Sequence, residues 1–320
     1  MNRRQFLAGA VTLPIALRLS PEALAGGGRP VALVTADTQA RIAVVELSTG
    51  KILRSIATAA GPRSIESVQG KAAVVCHTAE GIVSLIESNL RIRQVLGAFA
   101  EPRYTAAAAS GRHAFVTDSG RHEVVTVDLL QGRVVARVGV GGPARHVSID
   151  PSNRTLWVSL GSKAEEIAVV DVSRPLTPRL VRRFRPPFRA HDVGFAPGGR
   201  RVWLSSGDRR ALALYDARRG RLLTRLQADA PPQHITFTRS NAYVTSGEDG
   251  TLRVLSLHTG REIHMTKVPQ GSYNVQEAFG RILTPSLDRG TLCILEKDGT
   301  LVRRLQVAPS SHDACFLTTT

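Results

Sequence analysis

The chain has 320 residues, of which 42% are hydrophobic and 21% charged, a balance that excludes a disordered polyelectrolyte and supplies enough apolar side chain for a sizeable core. Its formal net charge is +16, and about +14 remains once residues 1–25 are set aside, so the basicity belongs to the body of the protein and points to acidic partners or surfaces. Beyond residue 25 no stretch approaches the roughly 18 consecutive apolar residues needed to cross a bilayer, so no membrane span is expected in the mature chain.

At the start of the chain, Asn2-Arg3-Arg4-Gln5-Phe6-Leu7, the apolar run from Ala8 to Leu17 and the small residues of Ala23-Leu24-Ala25 resemble a twin-arginine signal peptide and its cleavage site. Arg18, just after the apolar run, is disfavoured by the general secretory route and fits this one. Residues 1–25 are therefore expected to be an export signal and residues 26–30 a short linker, with the protein periplasmic or secreted. Twin-arginine substrates cross already folded, a route compatible with a cofactor inserted in the cytoplasm. The three cysteines, Cys76, Cys293 and Cys315, lie in apolar strand-like runs without CxxC or CxxCH spacing. Buried free thiols are expected, and no disulfide framework, cysteine metal site or covalent haem.

From residue 31 the chain divides into seven segments of 40 to 46 residues, 31–70, 71–111, 112–153, 154–199, 200–240, 241–280 and 281–320. Each opens with a β-branched or aromatic strand ending in Thr or Ser in most repeats, as in Leu33-Val34-Thr35, Phe115-Val116-Thr117, Trp157-Val158-Ser159 and Tyr243-Val244-Thr245. A second alternating strand follows, such as Val125 to Asp128 or Ala168 to Asp171. It leads through turns such as Thr49-Gly50, Gln131-Gly132 or Thr259-Gly260 into a third strand, a Gly/Pro element and a short fourth strand. No helical periodicity of 10 to 15 residues intervenes, which argues against βαβ units. Seven units of four strands predict an all-β, seven-bladed β-propeller with four-stranded blades.

The V-T/S strand, the V-x-V-D strand, the T-G turn and the Gly-Pro element resemble those of the YVTN family of bacterial β-propellers, which includes YncE-like proteins, over residues 31–320. The resemblance implies that the short fourth strand of each segment is the innermost strand of the next blade. The C-terminal strand, around Ala314 to Thr318, then joins the strands of residues 31–57 and closes the ring. It implies little about function, because one fold hosts many activities.

The residues just before each innermost strand are Arg63-Ser64, Arg103-Tyr104, Arg145-His146, His191-Asp192, Gln233-His234, Tyr273-Asn274 and His312-Asp313. Strand alternation puts the second member of each pair on one face, and seven such faces converge on the channel mouth. In the resembled family the second place is often small, so its polar content here is a departure, and His-Asp-x-x-Phe occurs twice, at His191 to Phe195 and His312 to Phe316. Arg63, Arg103, Tyr104, Arg145, His146, His191, Asp192, His234, Asn274, His312 and Asp313 are therefore the candidate ligand-binding residues. His146, Asp192, His234 and Asp313 are the expected ligands if a divalent metal is held. The same groups could instead supply proton carriers, His146 or His234, with Arg63, Arg103 and Arg145 holding an anion. His77, His113, His122, His258 and His264 fall at scattered repeat positions and read as structural or solvated.

No G-x-S-x-G elbow, P-loop or paired-cysteine zinc signature is present, so a nucleophilic enzyme is not indicated. The first reading is a monomeric periplasmic propeller that binds a small anionic ligand or a protein partner at its channel mouth. A second is an enzyme or carrier holding a divalent metal or haem-like group on the His/Asp ring. A third, nucleic-acid binding, draws on the arginines between Arg174 and Arg225 but lacks interleaved aromatic residues for base stacking.

Overall fold

The computed structural model describes residues 28–320; the export signal expected at residues 1–25 lies outside the described residues. It is a ring of seven four-stranded antiparallel sheets, and the one helical element among the described residues is the 3-10 turn Asp37–Gln39. No helix of the described residues is long and apolar enough to cross a membrane.

The sequence repeat and the blade are out of phase by one strand. The inner strand Pro62–Val68, at the end of the first repeat, pairs with Ala72–His77 of the second, and the same offset recurs around the ring. Closure follows from it, since the last strand, Ser311–Thr319, pairs antiparallel with Arg29–Ala36 in the sheet that also holds Arg41–Glu46 and Ile52–Ala57. The first strand starts at Arg29, inside the expected linker, because Arg29 opposes Thr319 and its side chain pairs with Glu46 at 3.2 Å.

Each sheet is covered on both faces by its neighbours, so its middle strands are apolar almost throughout, while the outer strand, such as Arg179–Phe184, meets water. Seven clusters of buried apolar side chains fill the seven gaps between blades. Val74 and Leu85 meet Val116 and Val127 in one gap; in the closing gap Leu283 and Ile294 meet Val34, Val45 and Phe316. Trp157 and Trp203, both fully buried, anchor two adjacent gaps; Trp157 packs edge-on against Phe184 and Tyr215 at centroid distances of 5.2 and 5.7 Å. The cysteines are free and buried. Part of the dense arginine content ties blades together, since Arg182 donates to the Arg219 carbonyl at 3.0 Å and Arg201 to the Leu257 carbonyl at 3.4 Å.

Candidate functional site

The Thr or Ser that ends the first strand of most repeats organises the inner strands. Arg103 and Tyr104 both stand opposite Thr117, and Arg145 and His146 both stand opposite Ser159. Each pair is a bulge, with two residues facing one, which bends the strand and re-aims its side chains. The hydroxyl stabilises the bulge and links it to the next blade. Ser159 Oγ accepts the His146 N–H at 3.2 Å and donates to the His191 carbonyl at 3.2 Å. Ser205 Oγ accepts the Asp192 N–H at 3.0 Å and donates to the Gln233 carbonyl, Thr117 donates to the Arg145 carbonyl at 2.6 Å, and Thr245 donates to the Tyr273 carbonyl.

The two aspartates of the His-Asp-x-x-Phe repeats are engaged with backbone. Asp192 accepts the N–H groups of Val193 at 2.8 Å and of Ile235, in the next blade, at 2.9 Å. Asp313 accepts those of Ala314 at 2.8 Å and of Ile65, in the next blade, at 3.1 Å. Asn274 donates to the His312 carbonyl at 2.7 Å, and Ser64 to the Arg103 carbonyl, which extends the inter-blade links around the ring.

The histidines meet in the channel. The rings of Tyr104 and His146 lie 4.2 Å apart, His146 and His191 4.5 Å, His146 and His234 4.8 Å, and His191 and His234 5.2 Å. One donor atom from each of His146, His191 and His234 lies within 4.8 Å of those of the other two. Of the four residues expected as metal ligands, His146 and His234 are in this group, Asp192 is adjacent to it with Oδ2 3.6 Å from His234 Nδ1, and Asp313 is engaged as above. His191 joins from the first column, where Gly207 makes room for it: a side chain at that left-handed glycine would meet the His191 Cβ at 2.7 Å.

A cavity of about 340 Å³ extends from this layer along the channel, walled by the inner strands from His146 to Ser148, Asp192 to Phe195, His234 to Phe237 and Asn274 to Gln276. Tyr104 and Asp313 also line it; Arg103, Arg145, His191 and His312 each precede a lining residue, and neither they nor Arg63 line it.

Burial and the positive charge of the arginines set the protonation states. Burial, then the neighbouring His191 and His234, hold His146 well below its ordinary value; burial, then His191 and His312, do the same for His234. Burial brings His191 to about 4 and, with Arg63, His312 to about 3. All four are neutral at physiological pH. Burial lowers Arg145 too, with Arg103 and Arg63 adding repulsion, and raises Tyr104 to about 12. Arg63 pairs with Asp37 and Arg103 with Glu101, each at 3.0 Å, whereas Arg145 has no carboxylate within 4.0 Å among the described residues. Its Nε is sealed from solvent without a hydrogen-bond partner.

No protein-family model matches the chain. A segment of 156 residues, 48% of the chain, is 24% identical to Protein NirF of Stutzerimonas stutzeri and spans 39% of that relative's length. Among solved structures, apo AztD of Citrobacter koseri superposes with a TM-score of 0.67 at 12% identity, over 92% of this chain and 99% of its own. The dihydro-haem d1 dehydrogenase NirN, in complex with DHE, superposes with a TM-score of 0.63 at 15% identity, over 95% of this chain and 77% of its own. The structural likenesses establish the propeller fold.

Two channel residues escaped the reading of the bulge pairs. Glu66, on the pleat after Ser64, accepts a hydrogen bond from Gln276 at 3.3 Å, and Gln276 lines the cavity. Continuing the strand alternation one step past each bulge would have found both.

Proposed function

We propose that this protein is a ligand-binding propeller that acts on the far side of the cytoplasmic membrane and takes an anionic, carboxylate-bearing ligand at the arginine-lined end of its channel. The observation that carries this reading is Arg145, a guanidinium without a carboxylate partner whose Nε is sealed and unpaired, held beside Arg63 and Arg103. An unpaired buried donor is costly, and a bidentate carboxylate matches the guanidinium fork that lacks one. The residues resembling a twin-arginine signal support the location, and the YVTN-like repeat motifs support a place among bacterial binding propellers. Within this class, a carboxylated tetrapyrrole is the ligand to test first, because haem macrocycles carry carboxylate side chains and NirN is a dihydro-haem d1 dehydrogenase.

The test is titration of the full chain with haem and, separately, with citrate, followed by calorimetry and absorption. Binding that Arg145→Gln weakens by about 10-fold or more, the order expected for one charged hydrogen bond, supports the reading. Absence of binding by either probe, or equal affinity in Arg145→Gln, overturns it.

A further inference from the structure

We infer that His146, His191 and His234 form a three-histidine site for a divalent transition-metal ion, placed across the channel between the arginines and the cavity. This inference is independent of the anionic ligand proposed above.

Two observations converge. First, His146 is 1% exposed and its Nε2 has no hydrogen-bond partner, an orphaned acceptor in the middle of the cluster. A buried polar atom without a partner costs about 1–3 kcal/mol, and a bound ion removes that cost. Second, each of the other two histidines has the outer contact that aims a metal-binding imidazole. His191 donates its Nδ1–H to the Ser162 carbonyl at 3.0 Å, leaving Nε2 with its lone pair inward. His234 Nδ1 lies 3.6 Å from Asp192 Oδ2, beyond a direct hydrogen bond but on the side where a carboxylate can orient a ligand ring.

Three imidazole nitrogens with an open fourth position suit zinc and its neighbours, cobalt, nickel and copper, better than magnesium or calcium, which prefer oxygen. Metal–nitrogen bonds of about 2.0–2.1 Å place tetrahedral donors about 3.3 Å apart. The donors here lie within 4.8 Å of one another, so ligation draws the rings together by rotation about their χ angles, with the backbone bulges in place.

The probe is cobalt(II), titrated into the full, untagged chain after dialysis against chelator. A 1:1 complex with tetrahedral d–d absorption in the visible, displaced by one equivalent of zinc(II), is the expected result. His191→Gln, at a position less enclosed than His146, is expected to lower cobalt affinity by at least about 100-fold, while His258→Gln, an exposed histidine in a turn, leaves it unchanged. Unchanged secondary structure and melting temperature in His191→Gln establish that the loss is local. Absence of stoichiometric cobalt binding by the wild-type chain, or wild-type affinity in both His191→Gln and a folded His146→Gln, overturns the assignment. Because the readout is cobalt alone, failure of haem or citrate to bind has no bearing on it.

Discussion

The Asp313 carboxylate accepts the backbone N–H of Ile65 at 3.1 Å across 248 positions of sequence, and Asp192 holds Ile235 in the same way at 2.9 Å. Each aspartate sits at the start of one inner strand and fastens the next. Both main-chain donors are buried, so removing the acceptor leaves an unsatisfied N–H that costs about 1–3 kcal/mol. Asp313→Ala is therefore expected to lower unfolding free energy by that amount. Asp313→Asn, which keeps one oxygen, should lose less. Urea denaturation of the two variants checks the order, and a neutral Asp313→Ala would show that water replaces the carboxylate.

The ring is closed by pairing between Ser311–Thr319 and Arg29–Ala36. Deleting residues 311–320 removes Phe316 and Leu317 from two inter-blade clusters and bares the first strand as an edge. The expected outcome is loss of the single cooperative melt, with early protease cleavage in the first blade, read by calorimetry and limited trypsinolysis.

Trp157 fills the gap between the fourth and fifth blades against Phe184, Phe195 and Tyr215. Trp157→Ala should destabilise by about 3–5 kcal/mol, the usual cost of emptying a large aromatic site. Trp157→Phe should cost less. Denaturation followed by far-ultraviolet circular dichroism measures both.

Glu66 gives a pH prediction. Burial, with the nearby Asp313, pushes its carboxyl from 4.5 to about 8. Between those values the unfolded chain has released a proton that the native chain retains, so this group makes stability fall as pH rises from about 4.5 to about 8 and then level off. Glu66→Gln keeps the shape and stays neutral. It should raise the melting temperature relative to wild type at pH 9 and leave it nearly unchanged at pH 4; parallel pH profiles would show the carboxyl to be ionised in the native state.

Much of this architecture is legible in the residues. The seven repeats follow from patterns such as Leu33-Val34-Thr35 because a sheet covered on both faces needs apolar middle strands, while the strand offset and the closure come from the resemblance to YVTN-type repeats. The bulge pairs brought the channel histidines to notice for the same reason: they recur at one repeat position. What stays hidden is where each side chain finds its partner. Nothing local to Asp192 or Asp313 reveals that backbone donors in the next blade engage their oxygens. His191 and His146 occupy different members of their pairs, and their meeting depends on two bulges and on the space at Gly207. Arg145 differs from Arg63 and Arg103 in lacking a carboxylate neighbour, a property of three-dimensional surroundings.

The Thr319 hydroxyl of the closing strand bonds a carbonyl 290 positions upstream, at Arg29. A nascent propeller thus remains an open arc with a bare first edge until Ser311–Thr319 has left the ribosome, and loop closure over that distance comes late in folding. A message cut short before the closing strand would yield an unclosed arc, exposed to proteases and chaperones.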